Sequence, residues 1–250
     1  MDKEIYNKII QKKEFSKLVK KDIEMAFNHF EKRQVSDAEK IRLTRELLHK
    51  VFSSFTSQKL LSIKDKDVSW VLRKHLSTRE RLPYYKEVYL KILKNFKGTV
   101  FDLGAGINGF SYGFFPKGIY YVCVEAVGQL VDLMNYYFKT KGLEAMAIHD
   151  SLFNLDKIKK YMKQVKGEKI VFLFKTLDSL EMLERDYSKK ILTEIIPLVD
   201  CVVVSFATKS MVSRKKFKVK RNWIFDFIKE KFTILEDFEV GDEKFIIFSK

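Results

Sequence analysis

The sequence predicts an α/β protein, a doubly wound and mostly parallel seven-stranded sheet ending in an antiparallel hairpin, with an N-terminal helical domain in front of it. Three observations carry this expectation. From residue 99 onward, apolar runs of strand length alternate with helical patterns, as expected for a parallel sheet covered by helices on both faces. The last two runs, TILEDFEV and KFIIFSK, are joined by Gly241-Asp242, a link short enough only for an antiparallel hairpin. Residues 1–75 show helical spacing and almost no strand signal. A chain of 250 residues can bury a full core and still carry an appendage, so domains are expected at 1–75 and 76–250.

In order along the chain, Ile5, Ile9 and Ile10 share one helical face, and Leu18, Val19, Ile23, Phe27 and Phe30 continue at steps of three and four. Ser36 with Glu39 forms a capping-box pattern that opens a helix through Ile41, Leu47, Leu48 and Val51. A short helix is expected to hold Val68, Trp70, Val71 and Leu72. In HLSTRERLP, residues 75–83, Ser77 with Glu80 reads as a second capping box, and Pro83 suits the first turn of a helix through Val88, Leu90 and Leu93. Strands are then expected near 99–104, 119–125, 144–149, 169–175, 199–206, 232–240 and 243–249. Helices are expected near 109–115, 126–140, 154–164, 178–194 and 221–231.

The stretch Thr99–Glu125 reads as strand, glycine turn, short helix and second strand. Gly104-Ala105-Gly106 lets backbone approach a ligand closely. Glu125, ending the second strand, is placed to accept hydrogen bonds from the ribose of an adenosine-containing ligand. Residues 104–109, GAGING, also match the dinucleotide fingerprint G-x-G-x-x-G. Asp102 argues against that match, because a carboxylate beside the turn repels a pyrophosphate and suits a cation such as S-adenosylmethionine. A dinucleotide oxidoreductase therefore stays open as the weaker reading, as does a turn that serves helix packing alone.

Net charge is +15, which attracts nucleic acid or an anionic membrane without specifying which, although a lysine-rich composition by itself gives the same number. The helical region carries Lys20, Lys21 and Arg33 among other cations, and a second cluster includes Lys209, Arg214, Lys215, Lys216 and Arg221. Such runs are most often solvated faces. The second cluster follows the fifth strand at the carboxyl ends of the strands, where folds of this class bind ligands. Cys123 and Cys201 sit in expected strands without metal-ligand spacing and read as packing residues. No run approaches the roughly 18 apolar residues of a membrane span, and the N-terminus lacks an apolar signal core, so a cytoplasmic protein is expected.

HLSTRERLPYY, DLGAGING, LFKTLDSLE, VVVSFATKSMVSRKK and EKFIIFSK together resemble, in order, the motifs of the 16S ribosomal RNA guanine-N7 methyltransferases that confer aminoglycoside resistance. The resemblance spans roughly residues 70–250 and implies a class I S-adenosylmethionine-dependent methyltransferase that acts on 16S rRNA in the 30S subunit as a monomer without a metal. It implies that Thr78 and Arg81 lie at the methionine end of S-adenosylmethionine, with Arg81 binding its carboxylate. Asp102, Gly104, Ala105 and Gly106 would line or underlie the cofactor. Glu125 would hold the ribose, with Ala126 beside it in the cofactor site, Asp150 and Ser151 would meet the adenine, and Phe174 and Lys175 would border the pocket. The family usually has Asp at position 125, proline at 207 and glycines at 212 and 213, where this chain has Glu125, Ala207, Val212 and Ser213.

The residues also bear on which atom is methylated. Pyrimidine C5 needs a cysteine nucleophile in a loop, and neither cysteine is in one. Exocyclic amines generally use an Asn/Asp-Pro-Pro-aromatic turn, where this chain reads Lys175-Thr176-Leu177-Asp178. Guanine N7 has a free lone pair and no proton to lose, so positioning by Lys175 and Arg214 suffices without a general base. The basic N-terminal face is expected to dock on the subunit, so that deleting residues 1–60 impairs 30S binding far more than cofactor binding. A noncatalytic RNA-binding or ribosome-assembly factor is the alternative from another class.

Overall fold

The computed structural model describes residues 1–52, 60, 67–208 and 221–250. Seven strands form one sheet in the order β3-β2-β1-β4-β5-β7-β6. They are β1 Thr99–Leu103, β2 Tyr120–Glu125, β3 Ala145–His149, β4 Lys169–Phe174, β5 Cys201–Ala207, β6 Thr233–Val240 and β7 Glu243–Ser249. β1 pairs in parallel with β2 on one side and β4 on the other, while β7 runs antiparallel between β5 and β6. The strand order therefore reverses direction at β1 and β4, which puts a crevice at their carboxyl ends. The Gly241-Asp242 hairpin turns where expected, with Gly241 at φ 60°.

Alternation along the strands separates two apolar layers. Val100, Tyr121, Cys123, Ile170, Phe172, Val203 and Phe245 face one layer. Phe101, Leu103, Val122, Val124, Val171, Val202 and Phe248 face the other. The first is covered by α6 (Tyr85–Leu93), α7 (Gly128–Lys141) and the N-terminal helices α1 (Lys3–Ile10), α2 (Lys20–Glu31) and α3 (Asp37–Phe52). The second is covered by α8 (Leu155–Gln164), α9 (Leu177–Leu183), α10 (Tyr187–Ile195) and α11 (Asn222–Lys231). Buried Ile9, Ile23, Phe27 and Leu48 belong to the same apolar cluster as Leu130 and Val131 of α7, so the N-terminal core is continuous with that of the sheet. Each such fully buried side chain contributes about 1.5–3 kcal/mol.

Several local expectations are refined. The run from Leu18 is not one helix, because residues 17–19 lie extended beside residues 126–128. Leu18 and Val127 form an antiparallel bridge, Val19 N–H donates to the Ala126 carbonyl at 3.0 Å, and Gly128 N–H donates to that of Lys17 at 2.8 Å. A Cβ at Gly128 would lie 2.9 Å from the Lys17 oxygen, so this approach requires glycine. Only half of the Ser36 box forms: Glu39 N–H donates to the Ser36 hydroxyl at 3.3 Å, while the Glu39 carboxylate pairs with Arg42.

The short helix appears as α4 (Val68–Leu72), started by the Asp67 carboxylate accepting from Trp70 N–H at 3.0 Å. The second capping box is absent. Helix α5 (Leu76–Arg81) begins after His75, which places Ser77 inside the helix and leaves its hydroxyl to accept from Arg81. In α6 the buried face is Tyr85, Val88, Tyr89 and Leu93, and Leu90 is exposed. The expected helix at 109–115 is a 3₁₀ helix, Asn108–Phe114, where Gly109, Ser111 and Gly113 are weak α-formers. The single helix expected at 178–194 is α9 and α10, separated where Asp186 takes φ 61° and the Glu181 carboxylate accepts from Asp186 N–H at 2.7 Å and Ser188 N–H at 2.8 Å.

Candidate cofactor cavity and active site

At the carboxyl end of β1 the chain turns through Gly104, at φ 73°, and Gly106, at φ 56°. The Gly104 position is closed to larger residues, since a Cβ there would lie 2.8 Å from the Thr176 methyl. Glu125 ties this turn to the one after β2. Its Oε2 accepts from Gly106 N–H at 2.8 Å and its Oε1 from Val127 N–H at 2.9 Å. Burial raises the Glu125 pKa against the stabilising pull of these N–H groups. Each oxygen keeps acceptor capacity beyond its single backbone bond.

Asp102 is buried within β1, with Oδ2 accepting from Asn108 Nδ2 at 2.7 Å and from the Tyr121 hydroxyl. Burial raises its pKa, and those two hydrogen bonds oppose the rise. Arg81 reaches the same cluster from the end of α5. Its Nη2 donates to Glu243 Oε1 at 2.6 Å, its Nε to Oε2 at 3.2 Å and its Nη1 to Asn108 Oδ1 at 3.2 Å. Burial alone would lower the Arg81 pKa, but the Glu243 carboxylate outweighs it and raises it. Glu243 also accepts from the Ser205 hydroxyl and stands 3.4 Å from Lys175 Nζ, which donates to Glu80 at 2.9 Å. Burial would raise the Glu243 pKa, but Arg81 and Lys175 reverse the direction and hold it below the usual carboxylate range.

Arg81, Asp102, Gly104, Asn108, Glu125 and Lys175 line one cavity, together with His75, Ser77, Thr78, Ala105, Ala126, Phe174 and Thr176, and Glu243 stands behind Arg81 and Lys175. Of the residues expected there, Thr78, Arg81, Asp102, Gly104, Ala105, Glu125, Ala126, Phe174 and Lys175 line it. Gly106 lies outside the lining and acts through its N–H to Glu125. Two expectations change. Arg81 does not present an open fork, because Glu243 occupies it, and the bonds to Glu243, Asn108 and Ser77 use four of its five N–H groups. Asp150 and Ser151 do not line the cavity. The Asp150 carboxylate instead organises its own loop, accepting from Ser151 N–H at 2.9 Å, Asn154 Nδ2 at 2.6 Å and the Tyr161 hydroxyl at 2.8 Å.

The cavity also contains groups that the sequence reading did not single out. Asn108, inside the glycine motif, bridges Arg81, Tyr85 and Asp102. His75 is buried, and burial, with Arg81, Lys175 and Arg79 nearby, pushes its pKa down to about 3. Asp22 enters from α2, and Lys50, Val51 and Phe52 enter from the end of α3. Nothing in a helical pattern marks a residue some 80 positions upstream of the glycine turn as part of its wall.

Of the basic residues, Lys20, Lys21 and Arg33 are exposed on or just after α2. Lys20 lies 3.4 Å from Glu24, and the Arg33 guanidinium lies 4.8 Å over the Phe30 ring. Arg221 is a structural tether, donating to Asp178 at 2.8 Å and to the Ala207 carbonyl at 2.9 Å. Lys209, Arg214, Lys215 and Lys216 fall outside the described residues. Among the described residues, no cluster of His, Cys, Asp and Glu is suited to a metal, and no helix is long and apolar enough to cross a membrane.

A sheet in this order, with a glycine turn after β1 and an acid closing β2, defines the methyltransferase variant of the doubly wound fold. The turn leads into a 3₁₀ helix, not the α-helix N-terminus that a dinucleotide pyrophosphate would face. The sequence matches the ribosomal RNA methyltransferase (FmrO) family over residues 61–223, and the chain belongs to that family. Solved structures share the architecture. The 16S rRNA methyltransferase RmtF in complex with S-adenosyl-L-homocysteine superposes with a TM-score of 0.81 at 18% identity, covering 100% of this chain and 99% of that one. The 16S rRNA methylase RmtB and an rRNA methylase from Escherichia coli each give 0.79 at 18% identity, covering 99% of this chain and 97% and 98% of theirs.

Proposed function

We propose that this chain transfers a methyl group from S-adenosylmethionine to N7 of a guanine in 16S rRNA, working in the cytoplasm as a monomer on the assembled small subunit. The observation that carries this reading is the buried acidic pair Asp102 and Glu125 on either side of the glycine turn. Their acceptor oxygens fit this cofactor. Glu125 has acceptor capacity for both ribose hydroxyls, and Asp102 suits the ammonium at the methionine end. Arg81, with its remaining N–H, would hold the methionine carboxylate, while Thr78, whose hydroxyl proton is donated to the Leu72 and His75 carbonyls, would border it. When bound, S-adenosylmethionine supplies an electrophilic methyl group.

The residues at the far end support N7 as the acceptor. Cys123 is buried within β2, and Cys201 opens β5 at the end of the strand opposite the cavity, so neither serves as a C5 nucleophile. The Thr176 hydroxyl, where an exocyclic-amine enzyme would present its polar turn, is spent on the Leu103 and Phe174 carbonyls at 3.2 and 3.3 Å. His75, with a pKa near 3, is a poor proton acceptor. N7 needs none, so Lys175, fixed between Glu80 and Glu243, has only to help position the base. Lys20, Lys21 and Arg33 would engage rRNA phosphates at the docking face, with Lys209, Arg214, Lys215 and Lys216 nearer the target.

Incubating purified 30S subunits with enzyme and isotopically labelled S-adenosylmethionine, followed by mass-spectrometric mapping of the RNA, tests the proposal. One 7-methylguanine in 16S rRNA is expected. Label on another atom or another RNA overturns the assignment, and tight subunit binding without transfer replaces it with a noncatalytic binding role.

A further inference from the structure

We infer that Asp22, on the first turn of α2, accepts a hydrogen bond from the exocyclic amine of the cofactor's adenine, so that the N-terminal helical segment supplies the base-reading residue of the cofactor site. The inference rests on the S-adenosylmethionine reading and specifies one contact within it. Asp22 lines the cavity at 3% exposure, and its Oδ2 is buried without a hydrogen-bond partner. A buried oxygen left unsatisfied costs about 1–3 kcal/mol, so it calls for a partner, and a ligand in the cavity that Asp22 lines supplies one.

The position fits the base. Asp22 interacts electrostatically with Glu125, Asp150 and the Ser151 side chain, which places it at the β2–β3 end of the cavity, beyond the group assigned to the ribose. The lining there is apolar, formed by Ala126, Leu152, Phe153 and Leu183. An apolar wall with one buried acceptor suits a purine bearing an amino group. Asp150, the acid that follows β3, is committed to Ser151, Asn154 and Tyr161 and lies outside the lining, so it does not compete for this role. α2 is fixed in place: the Val19 amide bonds to the Ala126 carbonyl, and a His29 ring nitrogen lies 2.8 Å from the Leu183 carbonyl oxygen. Burial raises the Asp22 pKa to about 7, and a carboxyl oxygen accepts from an amine in either protonation state.

Calorimetry with S-adenosylhomocysteine and S-inosylhomocysteine, which carries a carbonyl in place of the amine, tests the contact on wild type, Asp22→Leu and Asp22→Asn. Wild type is expected to prefer the adenosine ligand by about tenfold or more, the factor set by one such hydrogen bond. Asp22→Leu should bring the ratio to within about twofold. Asp22→Asn, whose amide can face either group, should narrow it as well and remains informative should the leucine variant not fold. A structural role for Asp22 would leave the ratio unmoved, so variants that keep the wild-type ratio overturn the inference. Equal binding of the two ligands by wild type also overturns it. Failure of wild type to bind either ligand overturns the cofactor reading itself, a result distinct from loss of discrimination.

Discussion

Asp22 and His75 face the same cavity and are perturbed in opposite senses, which makes a specific prediction for stability against pH. Burial, assisted by Glu125 and Asp150 and opposed by the Ser151 side chain, raises Asp22 from 3.8 to about 7. Burial, with Arg81, Lys175 and Arg79, lowers His75 from 6.5 to about 3. Between pH 3.8 and 6.5 the folded protein therefore holds a proton on Asp22 that the unfolded chain has released. Over the same window it lacks a proton on His75 that the unfolded chain has bound. Asp22 thus stabilises below 3.8 and loses that contribution as pH rises to about 7, whereas His75 destabilises progressively as pH falls from 6.5 to about 3. Each slope is about 1.4 kcal/mol per pH unit, or about 4 kcal/mol across the window, and the two have opposite sign.

In the wild type the two contributions offset each other. Urea unfolding at a series of pH values should show that Asp22→Asn makes stability rise with pH across the window relative to wild type, and that His75→Gln makes it fall. All other titrating groups are common to the three proteins, so differences between the profiles isolate each residue. The readout is the slope, which a change in packing alone does not alter. Profiles for both variants that run parallel to the wild type would refute the reasoning, because neither group would then differ in protonation between the folded and unfolded states.

Two further predictions concern the cavity. Glu125→Ala should weaken S-adenosylhomocysteine binding by about 1.5–3 kcal/mol, the scale of hydrogen bonds to a charged group, and unchanged affinity by calorimetry would remove Glu125 from the ribose. Arg81→Met or Glu243→Leu alone should destabilise the fold by about 3–5 kcal/mol by leaving a buried charge without its partner. The double variant should then lose far less than the sum of the two in chemical denaturation, and strict additivity would show that the 2.6 Å pair is not coupled.

Legibility from sequence followed locality. Strands with apolar runs and flanking turns, such as β1 with Gly104, could be placed because the pattern and its punctuation lie within a few residues. The split at Asp186 could not, because it depends on Glu181 reaching across the break to two amides. The same distinction governs the site. Glu125 and the glycine turn belong to one strand-turn-strand unit and could be read together. Glu243 closes on Arg81 across 162 positions, and nothing in the EKFIIFSK motif marks its acid as the partner of that arginine. Asp150 shows the converse: its place after β3 suggests a ligand contact, whereas Asn154 and Tyr161 use the carboxylate to brace the loop.

The N-terminal segment changes what a truncation can test. Deletion of residues 1–60 is expected from the sequence to impair 30S binding far more than cofactor binding, but Asp22, Lys50, Val51 and Phe52 form part of the cavity wall, and residues 17–19 are bonded to the turn that follows Glu125. Deletion would therefore remove one side of the site along with any docking face. Along α2 the two surfaces are consecutive in sequence, with Lys20 and Lys21 exposed and Asp22 and Ile23 buried. A single helical turn thus presents cations outward and the cavity carboxyl inward. If engagement of rRNA phosphates shifts α2 relative to residues 126–128, cofactor affinity must change with it, and by linkage the cofactor must alter RNA affinity by the same factor. If α2 does not move, the two binding steps are independent even though they share this turn. Measuring cofactor affinity with and without the 30S subunit decides between these cases, whereas truncation would lower both affinities in either one.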